Sequence, residues 1–316
     1  KLQSKNSKNY SNLMLCAQYN NLEIAKYLLT NDCDVNYQAD ITALIIACKN
    51  GYFEMTKLLL DYGAKCNCFS ELTFETPLMY NVTGKINKDI IQILIEYGVD
   101  LNATNLKGNT VLFMVNEKEI LELLVKNGLD PDIRNLAGET ACSWIVRNGM
   151  VPDDYFIEIT DLGIQDNAGR TVLMKGIMKD YREFVKKIVE KGVHFGRQDE
   201  EGRTALFYAI TNYYDTTYFF DDLFCDGDEI NIQDNNGQTV LHWAVNKCYE
   251  NCEDWNEDDV IFPVKILVEN GADIGIFDKG GKTPMLLAIE NCMEKKRFGV
   301  LNYLRMVEVE RNKKKI

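Results

Sequence analysis

Only 2 histidines and 5 prolines occur among 316 residues, and these shortages narrow what the chain can be. His194 and His242 leave little for a zinc site, even beside suggestive spacings such as Cys66-x-Cys68 and Cys248-x3-Cys252. No Pro-rich or Ser-rich linker interrupts the chain. No apolar run reaches the roughly 20 residues that span a bilayer, so no membrane contact is expected. Basic residues are the minority: 35 Lys and Arg against 48 Asp and Glu give a net charge of -13. That balance argues against nucleic acid, whose phosphates need lysine and arginine. There is no Gly-x-Ser-x-Gly elbow, no P-loop and no dinucleotide fingerprint. The stretch Asp221 to Asp228 lacks the alternating ligand spacing of an EF-hand loop. No catalytic residue, no metal and no cofactor is expected, and the chain is not expected to be an enzyme.

What the sequence does contain is a period. Gly-x-Thr recurs as Gly108-Asn109-Thr110, Gly138-Glu139-Thr140, Gly169-Arg170-Thr171, Gly202-Arg203-Thr204, Gly237-Gln238-Thr239 and Gly281-Lys282-Thr283. Thr42 and Thr76 extend the series without the glycine. The gaps from Thr42 onward are 34, 34, 30, 31, 33, 35 and 44 residues. Periods in the low thirties mark helical repeat arrays, which present extended binding surfaces.

One period shows the physical logic. Thr42 precedes the apolar run Ala43 to Cys48, which Lys49-Asn50-Gly51 breaks. Met55, Leu58, Leu59 and Leu60 follow at helical spacing, and Tyr62-Gly63-Ala64 ends them. This reads as helix, turn, helix. The threonine hydroxyl can accept a bond from an orphan N–H of the first turn. Pro77 and Pro284 stand at the first helical position, where a missing donor costs nothing. The glycine two residues before each threonine suits a turn with positive φ. Gly63, Gly98, Gly128, Gly192 and Gly271 suit left-handed helix ends.

This order of turn, Gly-x-Thr, short helix, longer helix and glycine resembles the ankyrin repeat. Asp234 to Ala244, continued by Val264 to Asp273, matches best. In that family a Thr-Pro-Leu-His core joins cap and histidine in a hydrogen-bonded network. Here Val240 replaces the proline, and only His242 keeps the histidine. Met79, Phe113, Met174, Phe207 and Leu286 fill its position elsewhere, so the array is divergent. The resemblance covers essentially the whole chain. It implies an all-α ankyrin-repeat solenoid of stacked helix-turn-helix units with β-turn finger loops. It further implies one domain over 1-316, with about nine repeats, an insertion near 248-260 and a capping helix near 298-310.

Several repeats depart from the pattern. Asn116 to Glu119 nearly removes one interhelical turn. Asp153 to Asp161 makes a weak second helix, and Cys68 to Glu75 reads as a longer finger. Tyr208, Tyr213, Tyr214, Tyr218, Phe219, Phe220 and Phe224 cluster in one repeat, as a repacked outer helix or an apolar contact patch. The acidic insertion around Trp255 is a solvated loop or a dock for a basic partner. Cys16, Cys48 and Cys292 sit in apolar runs, where free cysteine acts as a small hydrophobe. The 10 cysteines fit reduced thiols better than a disulfide framework. A cytoplasmic, monomeric protein is expected, or one delivered into a host cell if it comes from a pathogen. No signal peptide is visible, but the chain opens at Lys1 rather than methionine.

The resemblance also implies binding to another protein through a concave face of fingers and first helices. Phe74, Leu106 and Leu136 are expected to anchor that partner, Arg170 and Arg203 to steer it, and Trp255 to contribute from the insertion. The competing reading packs the leucines against neighbouring fingers. A second function is open: a targeting or regulatory arm of a longer protein whose activity lies outside these residues.

Overall fold

A computed structural model of the protein describes residues 10–115, 117–211, 229–250, 257–295 and 297–314. Among them the structure is all-α, with one isolated bridge, Gln233 to Thr239, and no strand. Two compact units emerge, Lys1–Trp144 and Ile145–Ile316.

In the first unit the helices pair as Asn12–Tyr19 with Leu22–Thr30, Ala43–Lys49 with Phe53–Asp61, and Pro77–Thr83 with Lys88–Glu96. The first members stack on one another, ending on a 3-10 turn, Val111–Met114. This burial from both sides explains the unbroken apolar run: every residue from Ala43 to Cys48 is buried. Each fully buried leucine or isoleucine contributes about 1.5–3 kcal/mol. Second helices bury one stripe only, as Ile120, Leu121 and Leu124 do in Lys118–Lys126. In the second unit Val172–Met178, Ala205–Thr211, Val240–Glu250 and Pro284–Lys295 stack in the same way. The weak helix is there, short, over Asp154–Ile159, with the Asp153 side chain capping Phe156.

The threonine series works as caps at five positions. The N–H groups of Ile45, Met79, Ser143, Met174 and Leu286 bond the hydroxyls of Thr42, Thr76, Thr140, Thr171 and Thr283. Thr110 and Thr204 depart from the expectation. Their hydroxyls are buried without a hydrogen-bond partner. In both, phenylalanine stands three residues on, and its N–H turns to the threonine carbonyl instead (3.2 Å from Phe113, 3.1 Å from Phe207). That contact tightens the first turn toward 3-10 geometry. Thr239 lies between these cases. His242 Nδ1 accepts from its N–H at 3.1 Å and meets its hydroxyl at 2.8 Å. Nε2 must then carry the proton, and it donates to the Lys282 carbonyl at 3.1 Å. Burial pushes the His242 pKa down, and both ring nitrogens are occupied, Nδ1 at the cap of its own repeat and Nε2 in joining it to the next.

The threonines therefore differ in what a hydroxyl contributes. Thr171→Val should cost about 1–2 kcal/mol by losing the cap. Thr204→Val should be neutral or stabilising, because it removes an unsatisfied buried hydroxyl. Urea unfolding of the two variants checks the contrast.

Candidate functional site

The fingers are built on one repeated set of bonds. An Asn or Asp stands five residues before each threonine: Asn105, Asn135, Asp166, Asp199, Asp234 and Asp278. Its Oδ1 accepts the N–H four residues on, from Asn109 (3.1 Å), Glu139 (3.0 Å), Arg170 (2.9 Å), Arg203 (2.8 Å), Gln238 (2.9 Å) and Lys282 (2.9 Å). In the first five it also takes the N–H two residues on. The backbone of the same residue closes the turn, as between Asn105 N–H and Asn109 carbonyl at 3.0 Å. All six glycines of the series have positive φ, from 72° to 77°. At Gly202 an added Cβ would stand 2.7 Å from the Asn235 nitrogen of the next finger. Glycine is thus required twice over, by the left-handed backbone and by close approach.

That approach carries a backbone bond from finger to finger. In the first unit Glu71 donates to the Asp40 carbonyl (2.9 Å), Leu106 to Thr73 (3.1 Å) and Leu136 to Lys107 (3.0 Å). In the second unit Glu200 donates to Ala168 (3.1 Å), Asn235 to Glu201 (2.9 Å) and Lys279 to Asn236 (2.9 Å).

This ladder sets the expected anchors in register. Leu106 is 54% exposed, Leu136 73% and Phe74 41%, on three consecutive fingers of the first unit. Their side chains face solvent rather than being buried among neighbouring fingers. Leu72 is exposed too, and so is Phe69, which the sequence reading missed; its ring stacks on Phe74 at 4.8 Å and 11°. Both aromatics lie in a finger that, like that of Thr42, lacks the glycine.

The arginines are placed differently. Arg203 spends its guanidinium inside its own finger, at 3.1 and 3.0 Å from Asp199 Oδ2, 2.8 Å from Glu201 and 3.0 Å from the Tyr208 hydroxyl. Tyr208 also donates to Asp199 Oδ2. Burial alone would raise the Asp199 pKa, but the bonds from Tyr208 and Arg203 outweigh it and hold the carboxyl below its usual range. Burial first, then the bond to Asp199, pushes Tyr208 up to about 12. Arg170 is half-buried, and its Nε is buried without a hydrogen-bond partner. Trp255 lies outside the described residues, as do Tyr213, Tyr214, Tyr218, Phe219, Phe220 and Phe224.

A second rule also went unread. Four residues after the threonine, a donor reaches back to Oδ2 of the finger acid: Lys175 to Asp166 (2.8 Å), Tyr208 to Asp199 and Trp243 to Asp234 (3.1 Å). The pairing of Asp at minus five with a donor at plus four would have revealed it.

Among the described residues no group of His, Cys, Asp or Glu is placed to hold a metal ion, and no helix is long and apolar enough to cross a membrane.

The family model for "Ankyrin repeats (3 copies)" matches residues 13–105, 111–199, 143–220, 182–255 and 215–314. The chain belongs to the ankyrin repeat family. It is similar to an ankyrin repeat protein of Rickettsia bellii, 34% identical over 135 residues, which is 42% of this chain and 67% of that protein. An ankyrin repeat protein of Acanthamoeba polyphaga mimivirus is 25% identical over 245 residues, 75% of this chain and 31% of that protein. Inversin of Canis lupus familiaris is 29% identical over 125 residues, 40% of this chain but 10% of inversin. The match thus spans less than a third of the viral relative. Ankyrin repeats are in general protein–protein interaction modules and typically non-catalytic.

Stability should separate framework from surface. Arg203→Ala should cost about 1–3 kcal/mol, because Asp199 loses its charged partner. Leu106→Ala and Leu136→Ala should each stay within about 0.5 kcal/mol. Asp199 has a lowered folded pKa, so its share of stability is full above the ordinary carboxylate value near 4 and is lost as pH falls through the lower folded value. Asp199→Asn should flatten that acid limb in denaturation curves taken between about pH 2 and 6.

Proposed function

We propose that the chain is a protein–protein interaction scaffold whose partner lies on the fingers of the first unit. The observation that carries this reading is the row Leu72, Leu106 and Leu136, large exposed apolar side chains on three consecutive, backbone-bonded fingers. Exposed apolar groups in register across a rigid frame are what a protein partner can bury. Phe74 belongs to the same row. Arg203, expected to steer a partner, acts instead as a prop of its own finger. Cys16, Cys48 and Cys292 are buried among apolar helix residues, which supports an intracellular, reduced setting.

A second reading is favoured by the lengths of the relatives. Stretches similar to this chain form 31% of the mimivirus protein and 10% of inversin. The array can equally serve as the targeting arm of a longer polypeptide. The mass of the native protein, read from an intact-protein spectrum, separates the two.

The binding site itself is tested with immobilised chain. Parent and Leu72→Ala/Leu106→Ala/Leu136→Ala beads are compared at low and physiological salt, with circular dichroism confirming that both are folded. At least one protein should be retained by the parent and lost by the variant. Identical retention on both would remove the site from these fingers.

A further inference from the structure

The finger of the third repeat breaks the pattern of the six Gly-x-Thr fingers. It is one residue longer, with Ser70 in the role that Asn105 plays in the next finger. Ser70 N–H donates to the Glu75 carbonyl at 2.9 Å, and its Oγ accepts from Leu72 and Thr73, each at 3.3 Å. Oγ also donates to Asp40 Oδ1 at 3.0 Å, tying the finger to its neighbour. Ser70 is fully buried. At the position that glycine holds in those six fingers stands Phe74, with φ at 58°. A bulky side chain in the left-handed region is strained. Strain of this kind persists only where the surroundings over-determine the backbone, and it collects at ligand clamps. Here the buried Ser70 bonds impose it, and Phe74 N–H donating to the Ser70 carbonyl at 2.8 Å closes the loop.

Burial does not offset that strain, because Phe69 and Phe74 are each exposed by more than two fifths. Two stacked rings therefore stand at the surface beside Leu72, with Leu106 and Leu136 on the next two fingers. The charge around them has one dominant sign. Residues 69–76 carry Glu71 and Glu75 and no cation, Asp40 bonds Ser70 behind them, and one cation, Lys107, stands on the next finger. Glu71 is exposed, and its carboxylate makes no hydrogen bond or ion pair among the described residues. An arginine or lysine laid on a phenylalanine face gains cation–π attraction, and a nearby carboxylate adds to it.

We propose that these fingers take a protein segment bearing an apolar side chain beside arginine or lysine, with the stacked Phe74 and Phe69 as its platform and Glu71 as its counter-charge. This rests on the finger-binding reading above and names the chemistry of the partner. Acidic segments are disfavoured by Glu71 and Glu75, and nucleic acid by the same charges.

The test uses random 12-residue peptides displayed on phage, selected on the full chain. Phe74→Gly keeps the left-handed backbone and removes only the ring. Its melting temperature should therefore not fall by more than about 2–4 °C. Selected peptides should carry a large apolar residue within three positions of Arg or Lys. They should bind Phe74→Gly at least tenfold more weakly, and Glu71→Lys should weaken the same peptides. Peptides rich in Asp and Glu, or without charge, yet lost on Leu106→Ala/Leu136→Ala, would overturn this chemistry and leave the finger site standing. Peptides indifferent to every finger variant, or none recovered above background, would overturn both. A Phe74→Gly protein that melts far lower and binds unchanged would make the rings packing groups and end the proposal.

Discussion

One side-chain oxygen in each of six repeats organises the fingers of this protein. The Oδ1 of the finger Asn or Asp satisfies backbone N–H groups that no helix or sheet can reach. It thereby fixes the left-handed glycine, brings the threonine to the helix start and aims the next finger's N–H at the previous finger's carbonyl. Without it the turn would have orphan donors, and the finger-to-finger bonds would lose their register. The second oxygen is used as well where the repeat supplies a donor. Lys175, Tyr208 and Trp243 are chemically unlike, yet each reaches the same atom of its own finger acid. Burial favours the neutral acid, and these donors together with the N–H groups of the turn, and Arg203 at Asp199, keep Asp166 and Asp199 below the usual carboxylate range.

The frame frees the tips. Between the Asx residue and the glycine stand two residues whose side chains do not supply the oxygen that holds the turn. Those positions hold Leu106 and Lys107, then Leu136 and Ala137, then Asn167 and Ala168, then Glu200 and Glu201. Their identity can vary without disturbing the turn, so they are where a binding preference can be written. At the first of these two positions the first unit places Leu106 and Leu136, and the second places Asn167, Glu200, Asn235 and Lys279. The third repeat shows what happens when the frame itself changes: a buried serine replaces the amide, the loop gains a residue, and the glycine position is left to an exposed aromatic.

Much of this was legible in the sequence, because a period repeats its evidence. Thr42, Thr76 and Thr171 declared caps, and the glycines declared their positive φ, since few other residues tolerate it. The place of Leu106 and Leu136 between turn residues left exposure and packing on neighbouring fingers both open, and the structure exposes them. Other features were not legible. Arg203 looked like a free cation because nothing local announces that Asp199 and Tyr208, four residues before and five after, converge on it. Thr110 and Thr204 looked like the other caps, since the tightening of the turn beside Phe113 and Phe207 is a matter of backbone geometry. Phe69 gave no signal alone, as its exposure depends on how Ser70 folds the loop.

Amide hydrogen exchange in the finger of Asn105, read together with binding, tests the central claim most directly. The parent should show slow exchange at Lys107 and Asn109, whose N–H groups Oδ1 holds at 2.9 and 3.1 Å. Asn105→Asp keeps the oxygen and should leave both exchange and partner binding near parent values. Asn105→Ala removes it, and should speed exchange across 105–109 while weakening binding at the adjacent Leu106. Slow exchange that survives in Asn105→Ala, with binding unchanged, would contradict the claim that this oxygen holds the finger and presents its tip.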